Sequence, residues 1–235
     1  MNTLDFCRSQ VLNNIPQKKI LEVLSSINND PDNDSKVKSL KLIAVNRYAE
    51  SNIPIDYWKL KMDKDFEGDS RLFDKYNEYI SDLKSCYING TSICFAGTHG
   101  SGKTMTASSI LKKCCDKGYT SLYTTLSDMV NVLSYSSGEE KIIARRELTM
   151  VDFLAIDEVD QRFFSQSEGA NEMFSRTFES VIRTRLQNKL PILMASNSPN
   201  IQESFVSLFK ASLGSLMNKI PVFVVMPGQD FRKVK

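Results

Sequence analysis

Five short apolar runs, separated by segments with helical periodicity, are the feature that most limits how this chain can fold. The runs cover residues 92–96, 121–124, 153–156, 192–195 and 222–225. Between them, apolar side chains recur three and four residues apart, which is the spacing of one helix face. Two such sets are Ala107, Ile110, Leu111 and Cys114, and Phe174, Phe178, Val181 and Ile182. Alternating strands and helices predict an α/β fold in which a five-stranded parallel sheet lies between helices.

The composition is that of an ordinary globular protein. Hydrophobic residues make up 41% of the 235 residues and charged residues 25%, which argues against a disordered or fibrous chain. The net charge of +2 is too small to identify a nucleic-acid binder by itself. The sequence has no apolar run near the roughly 18 residues that span a bilayer, and its start lacks the pattern of a secretion signal. We therefore expect a cytoplasmic protein.

The cysteines favour free thiols over a metal site. They are Cys7, Cys86, Cys94, Cys114 and Cys115, and they form no CxxC pair, while His99 is the single histidine. A structural zinc site needs four such ligands at suitable spacing. Because Cys94 falls in an apolar strand and Cys114 on the apolar side of a helix, we expect buried free thiols.

Residues 1–50 are predicted to form a helical N-terminal arm ahead of the α/β domain at 51–235. The apolar positions are Ile20, Leu21, Leu24 and Ile27 in the first part and Leu40, Ile43, Ala44 and Tyr48 in the second. A polar stretch at 28–35 separates the two parts, and Ser35 can cap the second helix.

Residues 97–104 have the sequence of a phosphate-binding loop, GTHGSGKT, between a predicted strand and a predicted helix. Gly97, Gly100 and Gly102 let the backbone N–H groups curl around phosphates at the positive end of the helix. Lys103 supplies a charge to the outer phosphates and Thr104 a hydroxyl to Mg²⁺. The intervening loop residues are Thr98, His99 and Ser101, and His99 needs no catalytic role. The loop predicts that the chain binds ATP with Mg²⁺.

Polar side chains follow two of the other predicted strands. Asp157 and Glu158 end the run at 153–156, and Asn197 follows the run at 192–195. An open parallel sheet binds its ligands at the carboxyl ends of its strands. Asp157 is therefore predicted to hold Mg²⁺ and Glu158 to activate the attacking water, with Lys103 as a further catalytic group. Asn197 is predicted to reach the outer phosphate or the water.

Together, the loop, the acidic pair, Asn197 and the segment 178–185 resemble the AAA+ ATPases of the DnaC-type replicative helicase loader family, which is DnaC/IstB-like. The resemblance runs from about residue 50 to the end. It implies an AAA+ ATPase domain, and we expect no C-terminal lid domain after it. Because the window 213–219, where the family usually has an arginine, contains none, we expect ATP hydrolysis to be slow without a partner. The partners that the resemblance implies are a replicative helicase, single-stranded DNA and further copies of the chain. It also implies that Ile55 and Tyr57 approach the adenine.

One departure from the family pattern concerns the arginine finger, which acts on the ATP of a neighbouring subunit. The corresponding window, 213–219, contains no arginine. Lys219 is the nearest substitute, but a lysine is a point charge rather than a rigid fork. Arg183 or Arg185 is therefore a second source of a trans-acting charge.

The family places helices that line a channel for single-stranded DNA in the span that corresponds to 125–150. Lys141, Arg145 and Arg146 lie there, and 141 and 145 share a helix face. These charges either follow the phosphates of DNA or form a solvated helix face.

Three functions are consistent with these features. The first is an ATP-dependent loader of a replicative helicase onto single-stranded DNA, in which the arm grips the helicase. The second is a transposition helper of the IstB type that binds duplex DNA. The third is a nucleotide-regulated adaptor with little turnover, which the missing arginine favours. For the arm, the alternative is that Leu40, Ile43 and Tyr48 pack on the ATPase domain.

Overall fold

The computed structural model describes residues 12, 15–30, 34–159, 168–198 and 211–225. Before the sheet, the helices are α1 (Gln17–Asn28), α2 (Ser35–Glu50), α3 (Met62–Asp65), α4 (Ser70–Ser81) and α5 (Leu83–Asn89), with a 3-10 turn at Ile55–Tyr57. The alternating part follows as β1 (Ile93–Gly97), α6 (Lys103–Asp116), β2 (Ser121–Thr125), α7 (Leu126–Tyr135), α8 (Gly138–Met150), β3 (Phe153–Asp157), α9 (Glu168–Gln187), β4 (Ile192–Ser196), α10 (Ala211–Met217) and β5 (Val222–Val225).

The five strands form one parallel sheet in the order β2-β3-β4-β1-β5. All five predicted strands are present within one residue of their expected bounds, so the predicted α/β fold is confirmed. Its central strand is β4, which pairs with β3 on one side and β1 on the other. This order brings the residues that follow β1, β3 and β4 to the same edge of the sheet.

Helices cover both faces of the sheet, as the sequence predicts. Because side chains alternate along a strand, Cys94 and Ala96 of β1 lie in one buried cluster and Phe95 in the other. The first cluster also contains residues of α7, α8, α9 and α10, and the second contains residues of α2, α4, α5 and α6. The predicted apolar faces of α6 and α9 are buried in these clusters. The sheet is thus the middle layer of three.

The arm is helical, but it is not a unit apart from the α/β domain. Val45, Tyr48 and Ala49, in the last turns of α2, belong to the same buried cluster as α4 and α6. The hydroxyl of Tyr48 donates to Asp116 at 2.7 Å, and Arg47 donates to the carbonyl oxygen of Cys115 at 2.9 Å. The predicted boundary at residue 50 therefore falls just after residues that belong to the core of the α/β domain.

The exposed part of the arm differs from the buried part. Leu40 and Ile43 of α2 are 60% and 49% exposed, and Leu21 of α1 is exposed as well. In α1 the partly buried side that packs on the second cluster consists of Ile20, Val23, Leu24 and Ile27. Packing on the ATPase domain was thus the right alternative for Tyr48 but not for Leu40 and Ile43.

Four of the five cysteines lie among the described residues, and all four are free thiols, Cys86, Cys94, Cys114 and Cys115. Cys7 lies outside the described residues. Burial raises the pKa of Cys94 to about 12 and that of Cys115 to about 11, so these thiols stay protonated at neutral pH. The prediction of buried free thiols at Cys94 and Cys114 is confirmed.

Within the described ranges, the structure contains no helix that is both long enough and apolar enough to cross a membrane.

Candidate functional site: a phosphate loop beside an acidic strand end

The phosphate loop connects β1 to α6 in the conformation that its glycines permit. Gly97, Gly100 and Gly102 have φ values of 149°, 75° and 97°, a region that side chains with a Cβ rarely adopt. Gly102 directly precedes the first residue of α6, Lys103. The loop therefore lies against the N-terminal end of a 14-residue helix, where unpaired N–H groups and the helix dipole favour an anion.

The side chain of Lys103 is buried against the loop. Its Nζ lies 2.6 Å from the carbonyl oxygen of Thr98 and 3.1 Å from Oγ of Ser101. The hydroxyl of Ser101 donates to the same carbonyl at 2.9 Å. The Oγ1 atom of Thr98 is buried and has no hydrogen-bond partner among the described residues. His99, in contrast, is exposed.

The acidic pair lies at the carboxyl end of β3. Asp157 is the last residue of the strand and is buried, whereas Glu158 is exposed. The backbone N–H of Glu158 donates to Oδ1 of Asp157 at 2.7 Å. Glu158 has a φ of 53°, a left-handed conformation that costs a residue with a Cβ about 1–2 kcal/mol. Strain of this kind is found at functional sites more often than elsewhere.

Tyr123 of β2 is a site residue that the sequence analysis missed. Its hydroxyl donates to Oδ2 of Asp157 at 2.8 Å. Burial, reinforced by the negative charge of Asp157, raises the pKa of Tyr123 well above its usual value, so the hydroxyl keeps its proton. A period-2 pattern places Tyr123 on one face of β2, but the pairing of Tyr123 with Ala155 of β3 is needed to bring it beside Asp157.

Asn197 follows β4 and is half-buried. Since β4 lies between β3 and β1, Asn197 comes at the edge of the sheet between the acidic pair and the phosphate loop. The backbone N–H of Val159 donates to the carbonyl oxygen of Ala195 at 2.9 Å, which continues the β3–β4 pairing past the acidic pair. The strand order thus brings together the three sets of predicted site residues.

Phe66 and Gly68 approach the phosphate loop from the segment between α3 and α4. A Cβ on Gly68 would lie 2.8 Å from the carbonyl oxygen of Ser101, and one on Gly102 would lie 2.8 Å from the ring of Phe66. Asp69 also donates its backbone N–H to Ser101 at 3.1 Å. Ile55 and Tyr57, which the family resemblance assigns to the adenine, lie half-buried in the 3-10 turn and pack on the second cluster. In the sequence, the isolated Gly68 is the residue that indicates this close contact with the phosphate loop.

Arg185 is placed inside the fold rather than on its surface. It is 0% exposed, and its guanidinium donates to the carbonyl oxygens of Leu148, Val151, Asp152 and Pro191 at 2.8 to 3.2 Å. Burial lowers its pKa to about 9, so it remains charged at neutral pH. A side chain in this position cannot reach a neighbouring subunit, so the trans-acting prediction for Arg185 is corrected to a structural role.

The other predicted charges lie at the surface. Arg183 is exposed and pairs with Glu179 on the same helix, and Lys219 is exposed after α10. Lys141, Arg145 and Arg146 are exposed on α8, where Arg145 donates to Oγ of Ser180 at 2.8 Å. These five residues are accessible, which is the condition that their predicted roles require.

The residues of the loop and the strand ends fit a nucleoside triphosphate with Mg²⁺. At the three glycines of the loop no Cβ atom stands between the backbone N–H groups and a phosphate, and Lys103 adds a positive charge. The hydroxyl of Thr104 and the carboxylate of Asp157 are oxygen donors, which Mg²⁺ prefers. The fold and the site together define a P-loop ATP-binding protein with an AAA+ fold.

The chain belongs to the family of IstB-like ATP binding proteins, because the sequence model of that family matches residues 47–206. No curated protein matches the chain in a sequence comparison.

Several solved structures share the fold. The DnaC helicase loader superposes with a TM-score of 0.60 at 16% identity, over 74% of this chain and 99% of that chain. DnaI gives 0.56 at 15% identity, over 73% and 94%. AMPPCP-bound DnaA from Aquifex aeolicus gives 0.53 at 20% identity, over 68% of this chain and 47% of that chain. The chain thus spans about half the length of that DnaA, and likewise 49% of a DNA replication initiation factor. At these identities the likeness concerns the fold.

Proposed function

We propose that this protein is an ATPase that loads a replicative DNA helicase onto single-stranded DNA. The observation that carries the proposal is the combination of a phosphate-binding loop beside an acidic strand end with an arm whose helix α2 is half buried and half exposed. The first supports ATP chemistry, and the second supports contact with another protein. The DnaC helicase loader has the same fold, which favours this partner class.

In the proposed reaction the chain's residues have separate tasks. The loop N–H groups and Lys103 bind the phosphates, and Mg²⁺, held by Thr104 and Asp157, would neutralise charge on them. Glu158, which is exposed beside Asp157, orients the attacking water and accepts its proton. Asn197 donates to the outer phosphate or to the water. We assign the catalytic roles to Glu158, Asn197 and Lys103 on this basis.

Assembly with further copies of the chain would supply a trans-acting charge. Arg183 and Lys219 are the accessible candidates, and a guanidinium fork fits a phosphate better than an ammonium group does. We therefore assign the role to Arg183 first. If this is right, Arg183→Ala lowers the turnover that rises with protein concentration more than Lys219→Ala does, and the reverse ranking would assign the role to Lys219.

The arm is proposed to contact the helicase through the exposed residues of α2. Leu40 and Ile43 are three residues apart, so they are neighbours on the helix surface. An amphipathic helix can dock its apolar side chains in a groove of another protein. Exposed apolar side chains that are grouped in this way mark interaction sites more often than single ones do.

The test is capture of the purified replicative helicase of the host, measured by size exclusion in the presence of ATP. Substitution is preferable to deletion of residues 1–50, since deletion removes Val45, Tyr48 and Ala49 from the core. Leu40→Ser with Ile43→Ser should abolish the complex. Ile88→Ser is the matched control, because Ile88 of α5 is 59% exposed. Equal capture by the double variant and the control would contradict the assignment.

Two other functions each have a specific observation in their favour. The family match to IstB-like ATP binding proteins favours a transposition helper that binds duplex DNA. The absence of arginine from 213–219 favours a nucleotide-regulated adaptor with little turnover. A helper would bind duplex DNA and a transposase but not the helicase. An adaptor would capture its partner with ATP bound and show no rise in turnover on assembly.

A further inference from the structure

We propose that Tyr123 is a positioning residue that orients the carboxylate of Asp157 for the Mg²⁺ of bound ATP. The inference rests on the proposed function, in which Asp157 holds this ion. It adds a residue of β2 to a site whose predicted members all come from the loop after β1 and from the ends of β3 and β4.

Both oxygens of Asp157 are held by hydrogen bonds from different elements. Oδ2 accepts from the Tyr123 hydroxyl at 2.8 Å, and Oδ1 accepts from the backbone N–H of Glu158 at 2.7 Å. Two bonds to the two oxygens fix the plane of the carboxylate as well as its position. Each carboxylate oxygen has more than one acceptor site, so this arrangement leaves capacity for a metal ion or for its bound water.

The surroundings strengthen the bond between the two side chains. Tyr123 and Asp157 are both buried, and a hydrogen bond to an ionised group is stronger in such surroundings than in water. The neighbours of a metal ligand orient it, and their loss weakens metal binding. Tyr123 has the geometry of such a neighbour.

The backbone of Tyr123 is itself held from outside the sheet. Its N–H donates to the carbonyl oxygen of Ser51 at 2.8 Å, and its carbonyl oxygen accepts from Nδ2 of Asn52 at 3.0 Å. Asn52 makes this contact from a left-handed conformation with a φ of 52°. Because β2 is an edge strand, these two residues occupy its free side directly after α2. Tyr123 is therefore held through its hydroxyl by Asp157 of β3 and through its backbone by the two residues that follow α2.

The experiment measures Mn²⁺ binding by electron paramagnetic resonance in the presence of AMPPCP, so that no turnover is required. Tyr123→Phe removes the hydroxyl and keeps the ring. It should weaken Mn²⁺ binding by about 10-fold, the lower end of the range for loss of a residue that orients a metal ligand. The affinity for AMPPCP without metal should not change.

Tyr79→Phe is the matched control, because Tyr79 is also buried and its hydroxyl donates to the carbonyl oxygen of Thr91 at 2.7 Å. It should bind Mn²⁺ as the unmodified protein does, although the loss of a buried hydrogen bond should lower its thermal stability, as in Tyr123→Phe. Asp157→Asn is the reference for loss of the ligand. If Asp157→Asn weakens Mn²⁺ binding and Tyr123→Phe does not, the positioning role is wrong while the ATP site stands. If Asp157→Asn has no effect either, the assignment of Asp157 in the proposed function fails as well.

Discussion

The side-chain nitrogen of Lys103 lies 2.6 Å from the carbonyl oxygen of Thr98, five residues earlier in the phosphate loop. The ammonium group is thus already inside the curve of the loop, where the outer phosphates of ATP are proposed to bind. Its bonds to the Thr98 carbonyl oxygen and to Oγ of Ser101 are both made to residues of the loop itself.

Lys103→Ala should therefore weaken ATP binding without unfolding the protein. We expect a loss of about 100-fold, which corresponds to removal of a charged hydrogen bond of about 3 kcal/mol. Isothermal titration calorimetry with ATP and Mg²⁺ measures the effect. Lys113→Ala is the control, because Lys113 is exposed on the same helix. An affinity in Lys103→Ala equal to that of the unmodified protein would contradict the assignment of Lys103 to the phosphates.

Glu158→Gln should bind ATP and Mg²⁺ normally but hydrolyse ATP at least about 100-fold more slowly, because an amide cannot accept the proton of the attacking water. Single-turnover release of phosphate separates this step from binding. Glu139→Gln is the control, because Glu139 is an exposed carboxylate in the first turn of α8. Unchanged hydrolysis in Glu158→Gln would mean that another group activates the water.

Arg185→Met should destabilise the fold strongly, because four carbonyl oxygens each lose a hydrogen bond from the guanidinium. We expect the free energy of unfolding to fall by at least about 3 kcal/mol, since each buried group left without a partner costs about 1–3 kcal/mol. Arg183→Met, two residues away and exposed, should change it by less than about 1 kcal/mol. Urea denaturation compares the two variants. Equal stability of both would contradict the structural role of Arg185.

Replacement of Lys141, Arg145 and Arg146 together by Ala should weaken binding to single-stranded DNA and leave ATP affinity unchanged. If all three contact phosphates, the slope of log K against log salt should fall by about 2, at about 0.7 per contact. The charge-matched control replaces Lys59, Lys61 and Lys64 by Ala. These three lysines are also exposed, but they lie in the segment between α2 and α4. Equal slopes in the two triple variants would mean that the α8 charges are only a solvated face.

The parts of the fold that the sequence predicted are those that depend on local pattern. The strands are short apolar runs with clear ends, and the phosphate loop needs a fixed order of glycines, Lys103 and Thr104. The acidic pair was predicted because the carboxyl ends of parallel strands share one edge. Each of these features lies within a few residues of chain.

The features that were missed depend on contacts between distant segments. Tyr123 meets Asp157 only through the pairing of β2 with β3, and Ser51 and Asn52 reach Tyr123 from more than 70 residues away. Leu40 is likewise exposed because the opposite side of α2 packs against α6, a contact between segments that are distant in the chain. These relationships have no local signature.

For Arg185 a signal was present in the sequence. Phe178, Val181 and Ile182 form the apolar face of α9, and position 185 continues their spacing of three and four residues. A charged residue on that face is either a break in the pattern or a buried group with many partners, and the four carbonyl bonds show the second. The position of Arg185 on the apolar face of α9 therefore indicates its buried structural role better than the analogy with an arginine finger indicates a trans-acting one.

The most direct test of the proposed function is the identity of the protein that the full chain retains from a host extract in the presence of ATP, determined by mass spectrometry. The comparison is with Lys103→Ala under the same conditions. The replicative helicase should be retained by the unmodified protein and lost in the variant. Retention of a transposase in place of the helicase would contradict the account and support the transposition helper.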